Sequence, residues 1–168
     1  GDFSVVDKRY VVAGADDGML HVFDDADGSE VLAFVPPDVL PKLKNYETVY
    51  HQSLVDGSIK LYRENGNPKY LIFGLRRGGG SFWALDVSDA NAANWTVAWS
   101  FTDSEMAQSW SEIEIAKIRT GSNAFTSVAI FSGGYDPAED NFPEPFNDLD
   151  ANGSPYDDDG NLDPNEWD

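Results

Sequence analysis

The sequence predicts an all-β chain: a partial β-propeller with two complete blades and a third that an acidic insertion interrupts. Three observations predict it. A strand-turn-strand phrase returns after about sixty residues, hairpin turn chemistry separates the apolar runs, and the composition changes abruptly at Tyr135.

The phrase first reads Tyr10-Val11-Val12-Ala13-Gly14, a polar turn, then Met19-Leu20-His21-Val22-Phe23-Asp24. Its copy reads Tyr70-Leu71-Ile72-Phe73-Gly74, a turn Arg76-Arg77-Gly78-Gly79-Gly80, then Phe82-Trp83-Ala84-Leu85-Asp86-Val87. A third copy opens with Val128-Ala129-Ile130-Phe131-Ser132-Gly133-Gly134 and gives way to acidic sequence. Apolar and β-branched residues in runs of this length, closed by Gly and Asp, read as strands.

The copies extend outward on both sides. Asp24 leads through Asp27-Gly28 to Val31-Leu32-Ala33-Phe34-Val35, and Asp86 leads to a run from Trp95 to Phe101. Upstream of the second copy, Ile59-Lys60-Leu61-Tyr62, a turn at Asn65-Gly66-Asn67 and Lys69 to Gly74 form a hairpin. Ile113 to Ile118, a turn at Gly121-Ser122-Asn123 and Ala124 to Ser132 repeat it. Four short antiparallel strands per repeat make a propeller blade, which buries both faces only by stacking on neighbours. A ring takes roughly four to eight blades, so the chain is expected to be a piece of a longer protein, or to borrow blades from another polypeptide. Pro36 to Leu43, rich in proline, reads as a turn or a single helical turn connecting blades, and Asn45 to Gln52 as a polar loop.

Composition bounds the function. A net charge of −19 and a pI near 4.1 repel phosphates and anionic headgroups, which argues against nucleic-acid partners. Cysteine is absent, so there are no disulfides, thiolate metal sites or Cys nucleophiles. No apolar run is long enough to span a bilayer. Gly1-Asp2-Phe3 has no leader character, so any signal peptide is expected to have been removed or to lie outside the chain. From Tyr135 to Asp168 there are twelve acidic residues, no Lys or Arg, and five of the nine prolines. Residues 1–134 are therefore assigned to the propeller blades and 135–168 to an acidic insertion.

Several ordered phrases carry a resemblance. Val12 to Asp24, Ala33-Phe34-Val35-Pro36, Val39 to Leu43, Val55-Asp56-Gly57-Ser58, Gly78 to Val87, Trp99 to Asp103 and Phe131 to Asp136 follow one another as successive blade signatures. Together, over about residues 9 to 140, they resemble the C-terminal propeller of the PilC/PilY family of type IV pilus proteins. The resemblance implies a place at the pilus tip or outer-membrane surface, roles in pilus assembly, retraction control, adhesion and twitching motility, and minor pilins or a host receptor as partners. It also implies a calcium-binding Asp-rich loop, which in that family usually lies between two later strands.

Within the insertion, Asp148-Leu149-Asp150-Ala151-Asn152-Gly153-Ser154-Pro155-Tyr156-Asp157-Asp158-Asp159 fits the twelve-position calcium loop. Asp148, Asp150 and Asn152 take positions 1, 3 and 5, Gly153 the sharp turn, Ser154 a backbone carbonyl position and Asp159 position 12. Alternate side chains on a tight turn converge on one point, and a calcium ion collects six to eight oxygens there. Asp in place of Glu at position 12 and Tyr156 at position 9 predict weak affinity, about 10⁻⁴–10⁻³ M. A second register, Asp157, Asp159, Asn161 and Asp163, places Leu162 where the turn needs Gly. The alternative is a solvated acidic loop without a cation.

Other candidates read as structure. His21 and His51 stand apart in sequence, and packing or surface placement is expected of them. The Arg76–Gly80 run lacks the Lys-Ser/Thr and helix of a phosphate loop and reads as a flexible hairpin turn. Trp83, Trp95, Trp99 and Trp110 suggest a sugar platform, but Trp83 and Trp99 fall at positions read as apolar in the first repeat and are assigned to packing between blades. Two functions follow: a non-enzymatic, calcium-dependent module of the pilus machinery, or a fragment of a quinoprotein-type propeller dehydrogenase. The second needs a closed ring, a cofactor and a base tuned by a partner, and the sequence offers no such pair.

Overall fold

The computed structural model describes residues 8–44 and 53–136. Nine strands in this part form three antiparallel sheets: β1 (Tyr10–Gly14), β2 (Leu20–Asp24) and β3 (Glu30–Phe34); then β4 (Ile59–Glu64), β5 (Asn67–Gly74), β6 (Phe82–Asp86) and β7 (Thr96–Phe101); then β8 (Glu114–Arg119) and β9 (Phe125–Ile130). Each sheet is a meander, with strands paired in chain order. A four-residue helix, α1 (Leu40–Leu43), with proline in its first turn, follows β3, as Pro36 to Leu43 predicted. Asn45 to Gln52 lies outside the described residues.

The repeat is real down to its register. Tyr10 pairs with Asp24, Val12 with Val22 and Gly14 with Leu20; likewise Tyr70 pairs with Asp86, Ile72 with Ala84 and Gly74 with Phe82. A β-bulge recurs at the same place, between Val22 and Phe23 on β2 and between Ala84 and Leu85 on β6. One extra residue on the facing strand at each bulge bends and twists the sheet. The closing aspartates do the same work twice. Asp24 accepts the Ala26 N–H and Asp86 the Ser88 N–H, each at 2.9 Å, as Asx turns that stop the strand. The third sheet keeps step: Lys60 pairs with Ile72 and Leu61 with Leu71, as Glu114 pairs with Ile130 and Ile115 with Ala129.

Among the described residues, only the second sheet has four strands. The first has three among the described residues, because β1 corresponds to β5 and no counterpart of β4 precedes it there. Of the expected pair of complete units, the described residues hold one, flanked by a three-stranded and a two-stranded sheet. Asn65 and Gly66 turn β4 into β5 with φ of 51° and 87°, the two-residue geometry that fits the twist of a hairpin.

The four-stranded sheet lies between the other two. On one face Leu71, Phe73, Trp83 and Leu85 pack with Val12, Leu20 and Phe34 of the first sheet. On the other, Ile72, Phe82 and Ala84, with Tyr62 and Trp99, meet Ile113, Ile115, Ala129 and Phe131. Aromatic rings close both seams: Phe34 lies 5.7 Å from Trp83, and Phe82 stacks on Phe131 at 3.9 Å. This two-sided burial explains why Tyr70 to Phe73 and Phe82 to Leu85 read as unbroken apolar runs rather than alternating ones. Trp99 has an apolar counterpart, Leu32, as expected, but the counterpart of Trp83 is His21. The sheet face that carries His21 has no sheet against it among the described residues, so a polar side chain costs nothing there.

Candidate functional site

The turns between β1 and β2 and between β5 and β6, and the chain leaving β9, are joined at one end of the sheets by the backbone segments that run past them. Val55 N–H donates to the Ala15 carbonyl at 3.2 Å, tying the segment before β4 to the first turn. Gly57 then passes so close to Gly74, and Gly78 so close to Leu54, that a Cβ on either glycine would overlap a carbonyl. Gly78, and Gly80 beside the Ala107 carbonyl, thus serve close backbone approach within the expected hairpin turn between β5 and β6.

Ser109 organises this turn. It is 1% exposed, and its Oγ accepts the Leu75 and Arg76 N–H groups at 2.8 and 2.9 Å while donating to the Gly79 carbonyl at 2.9 Å. A single hydroxyl so satisfies two backbone donors, and the Gly79 carbonyl that receives it also accepts the Ser109 N–H at 3.0 Å. The same segment holds the exit from β9. Ala107 N–H donates to Gly133 O at 2.8 Å, and Gln108 and Tyr135 exchange backbone bonds of 2.9 and 3.1 Å. Nothing in the sequence marks Ser109, because a serine in a segment without periodicity carries no pattern.

The charges at this end differ from turn to turn. The first turn carries Asp16 and Asp17, the second Arg76 and Arg77. The two guanidinium groups lie 4.9 and 5.5 Å from the centre of the Trp110 ring, whose Nε1 donates to Gln108 at 2.7 Å. Arg76, with φ of 51°, also stands 3.8 Å from Asp56. In an acidic chain this is a local cationic and aromatic spot. Trp110 is thereby engaged by arginines rather than presented as one member of a row of rings.

His21 is held through both of its ring nitrogens. Its Nδ1 lies 2.5 Å from Glu30 Oε1 and its Nε2 2.9 Å from Asp17 Oδ2. Only the imidazolium donates from both nitrogens, so this arrangement favours the charged ring. Its pKa is accordingly raised, mainly by the Glu30 hydrogen bond and further by Asp17, against an opposing effect of burial. With both nitrogens occupied, His21 is neither a free base nor a free metal ligand. The partner residues come from the β1–β2 turn and from β3, a convergence that requires the strand register to be known.

Among the described residues no set of three or more His, Cys, Asp or Glu is placed to hold a metal ion. The predicted calcium ligands Asp148, Asp150, Asn152, Ser154 and Asp159 lie outside the described residues, as do Asn161, Asp163 and His51. No described helix is long and apolar enough to cross a membrane.

No family model matches the chain. Among curated proteins it is 35% identical over 129 residues, 73% of its length, to a type IV pilus biogenesis factor PilY1 homolog of Xylella fastidiosa. It is also 35% identical over 122 residues, 66% of its length, to the type IV pilus biogenesis factor PilY1 of Pseudomonas aeruginosa. Over this stretch the chain belongs to the PilY1 family. It spans about a tenth of the length of these PilY1 relatives. Among solved structures, the crystal structure of the Pseudomonas aeruginosa PilY1 C-terminal domain matches with a TM-score of 0.46 and 27% identity, covering 74% of this chain and 29% of that one.

Proposed function

We propose that this chain is a non-enzymatic β-propeller segment of a type IV pilus biogenesis factor, acting at the pilus tip or outer-membrane surface. The observation that carries the pilus reading is the identity with PilY1 relatives over 129 residues. The propeller reading is supported by three sheets that repeat one register and pack face to face in chain order. Further sheets of the same repeat would complete the ring. The joined turn end, with Asp17, Arg76, Arg77 and Trp110, is the face offered to minor pilins or a surface receptor.

The insertion is proposed to bind one calcium ion through Asp148, Asp150, Asn152, the Ser154 carbonyl and Asp159. The donor spacing supports this, and a cation there would offset the repulsion among the carboxylates. Calorimetry tests it: a Kd of about 10⁻⁴–10⁻³ M is expected for the chain, with binding lost in Asp148→Ala. Retention of calcium binding in that variant would overturn the assignment.

The pilus role is tested by grafting the chain in place of the matching segment of a PilY1 relative in a strain lacking its own copy. Restored surface pili and twitching are expected. An exported chimaera that restores neither would overturn the reading, and a quinone chromophore bound to the purified protein would point to dehydrogenase chemistry instead.

A further inference from the structure

The turn between β5 and β6 carries two arginines whose side chains are not used to hold the fold. Elsewhere cations do that: Arg9 lies 2.8 Å from Asp25, Lys69 lies 3.1 Å from Asp86, and Lys42 donates to the Gly78 carbonyl of this same turn. The Arg76 Nε, in contrast, is buried with no hydrogen-bond partner among the described residues, and Asp56 stands 3.8 Å from its Nη1, too far for a hydrogen bond. Arg77 is exposed and meets the Trp110 ring. Arg76 is nonetheless fixed in place. Its φ of 51° belongs to the left-handed region that glycine occupies most cheaply. It is held there by its own N–H, which donates to the Ser109 Oγ at 2.9 Å, and by the Gly79 N–H, which donates to its carbonyl at 3.1 Å.

Two guanidinium groups against one ring repel each other, while the ring face attracts both. The result is a preorganised Arg76, with a second cation beside it, on a Trp110 ring that is 36% exposed. A planar guanidinium receives a carboxylate through two parallel N–H bonds, and the ring offers a flat surface to the chain that carries it. The net charge of −19 turns away extended polyanions such as nucleic acid or an anionic bilayer, so the complementary occupant carries few charges and binds locally. Deepening the reading of this end as a partner-binding face, and resting on it, we propose that Arg76, Arg77 and Trp110 bind a short acidic segment of a partner protein, with one or two carboxylate side chains against the guanidinium pair.

Nuclear magnetic resonance on the full chain tests this by following the Trp110 indole N–H signal, identified by its loss in Trp110→Phe, during titration with the peptide acetyl-Gly-Glu-Glu-Gly-amide. A saturable shift, half-complete below about 5 mM, is expected, with none from acetyl-Gly-Gln-Gln-Gly-amide. Arg76→Gly and Arg77→Gln should each weaken binding about tenfold, the loss of one charge-assisted hydrogen bond. Glycine suits a φ of 51°, so Arg76→Gly keeps the turn; Arg77→Gln, which alters an exposed side chain, carries the test if the first variant does not fold. No saturation by about 5 mM overturns the proposal, as does equal binding of the Gln peptide or binding that either folded variant leaves unweakened. Inorganic phosphate that binds more tightly than the Glu peptide would also overturn it, by making this a free-anion site. The two levels fail separately. A graft that restores twitching while the peptide does not bind sinks this site alone, whereas a bound peptide without rescue sinks the pilus reading and leaves the carboxylate site.

Discussion

The sheet formed by β4 to β7 and the sheet formed by β1 to β3 share a strand register, a bulge position and a closing aspartate, yet they differ in what their faces meet. Leu71, Phe73, Trp83 and Leu85 lie buried against a neighbour, whereas their counterparts Val11, Ala13, His21 and Phe23 look outward. Backbone geometry is thus fixed by turn and bulge chemistry, which is common to both sheets. Side-chain size and polarity follow the neighbour, which is not. His21 in place of Trp83 is the clearest instance.

The largest expected effect falls on the covered face. Phe73→Ala removes a fully buried ring and should cost about 3–5 kcal/mol in urea unfolding, while Phe23→Ala on the open face should cost under about 1.5 kcal/mol. Equal losses would erase the distinction between the two sheets. Next comes Ser109→Ala, which leaves the Leu75 and Arg76 N–H groups without their acceptor and should cost about 1–3 kcal/mol. Hydrogen exchange at those two amides should accelerate while exchange in β1 and β2 stays unchanged.

A smaller effect belongs to Asp86. The Ser88 hydroxyl and N–H, with Lys69, hold Asp86 down to about 2. Its stabilisation is therefore present above the ordinary carboxylate range near 3.8 and is lost as pH falls through 2. Asp86→Ala should cost about 1 kcal/mol at neutral pH, allowing for solvent screening, and flatten that acid limb. His21 works with the opposite sign. Its pKa is raised from 6.5, so the Asp17–His21–Glu30 clamp contributes fully below 6.5 and is lost as pH rises through the raised value. His21→Gln should remove the alkaline decline in the urea midpoint; a decline that persists would place it elsewhere.

The strands were legible because their signals are local. Asn65-Gly66 dictates a tight hairpin, and the phrases ending at Asp24 and Asp86 share Tyr, Gly and Asp at matching positions around apolar runs. The bulges were not legible, since an extra residue such as Val31 or Ala98 looks like any other strand residue until its pairing is known. The roles of Ser109 and His21 depend on partners brought from other strands and turns, and only the fold supplies them. The sequence showed glycine at Gly57 and Gly78 but could not show the carbonyls that exclude a side chain there. The calcium proposal stands on spacing in residues 148–159 alone.

The central claim, that successive sheets of one repeat pack face to face, is tested most directly by a double-mutant cycle on Phe82 and Phe131, whose rings stack at 3.9 Å across the second seam. Urea unfolding of Phe82→Ala, Phe131→Ala and the double variant should give a coupling energy of about 0.5–1.5 kcal/mol. Additivity within about 0.3 kcal/mol would mean that the third sheet does not dock on the second, and the account of stacked repeats would fail.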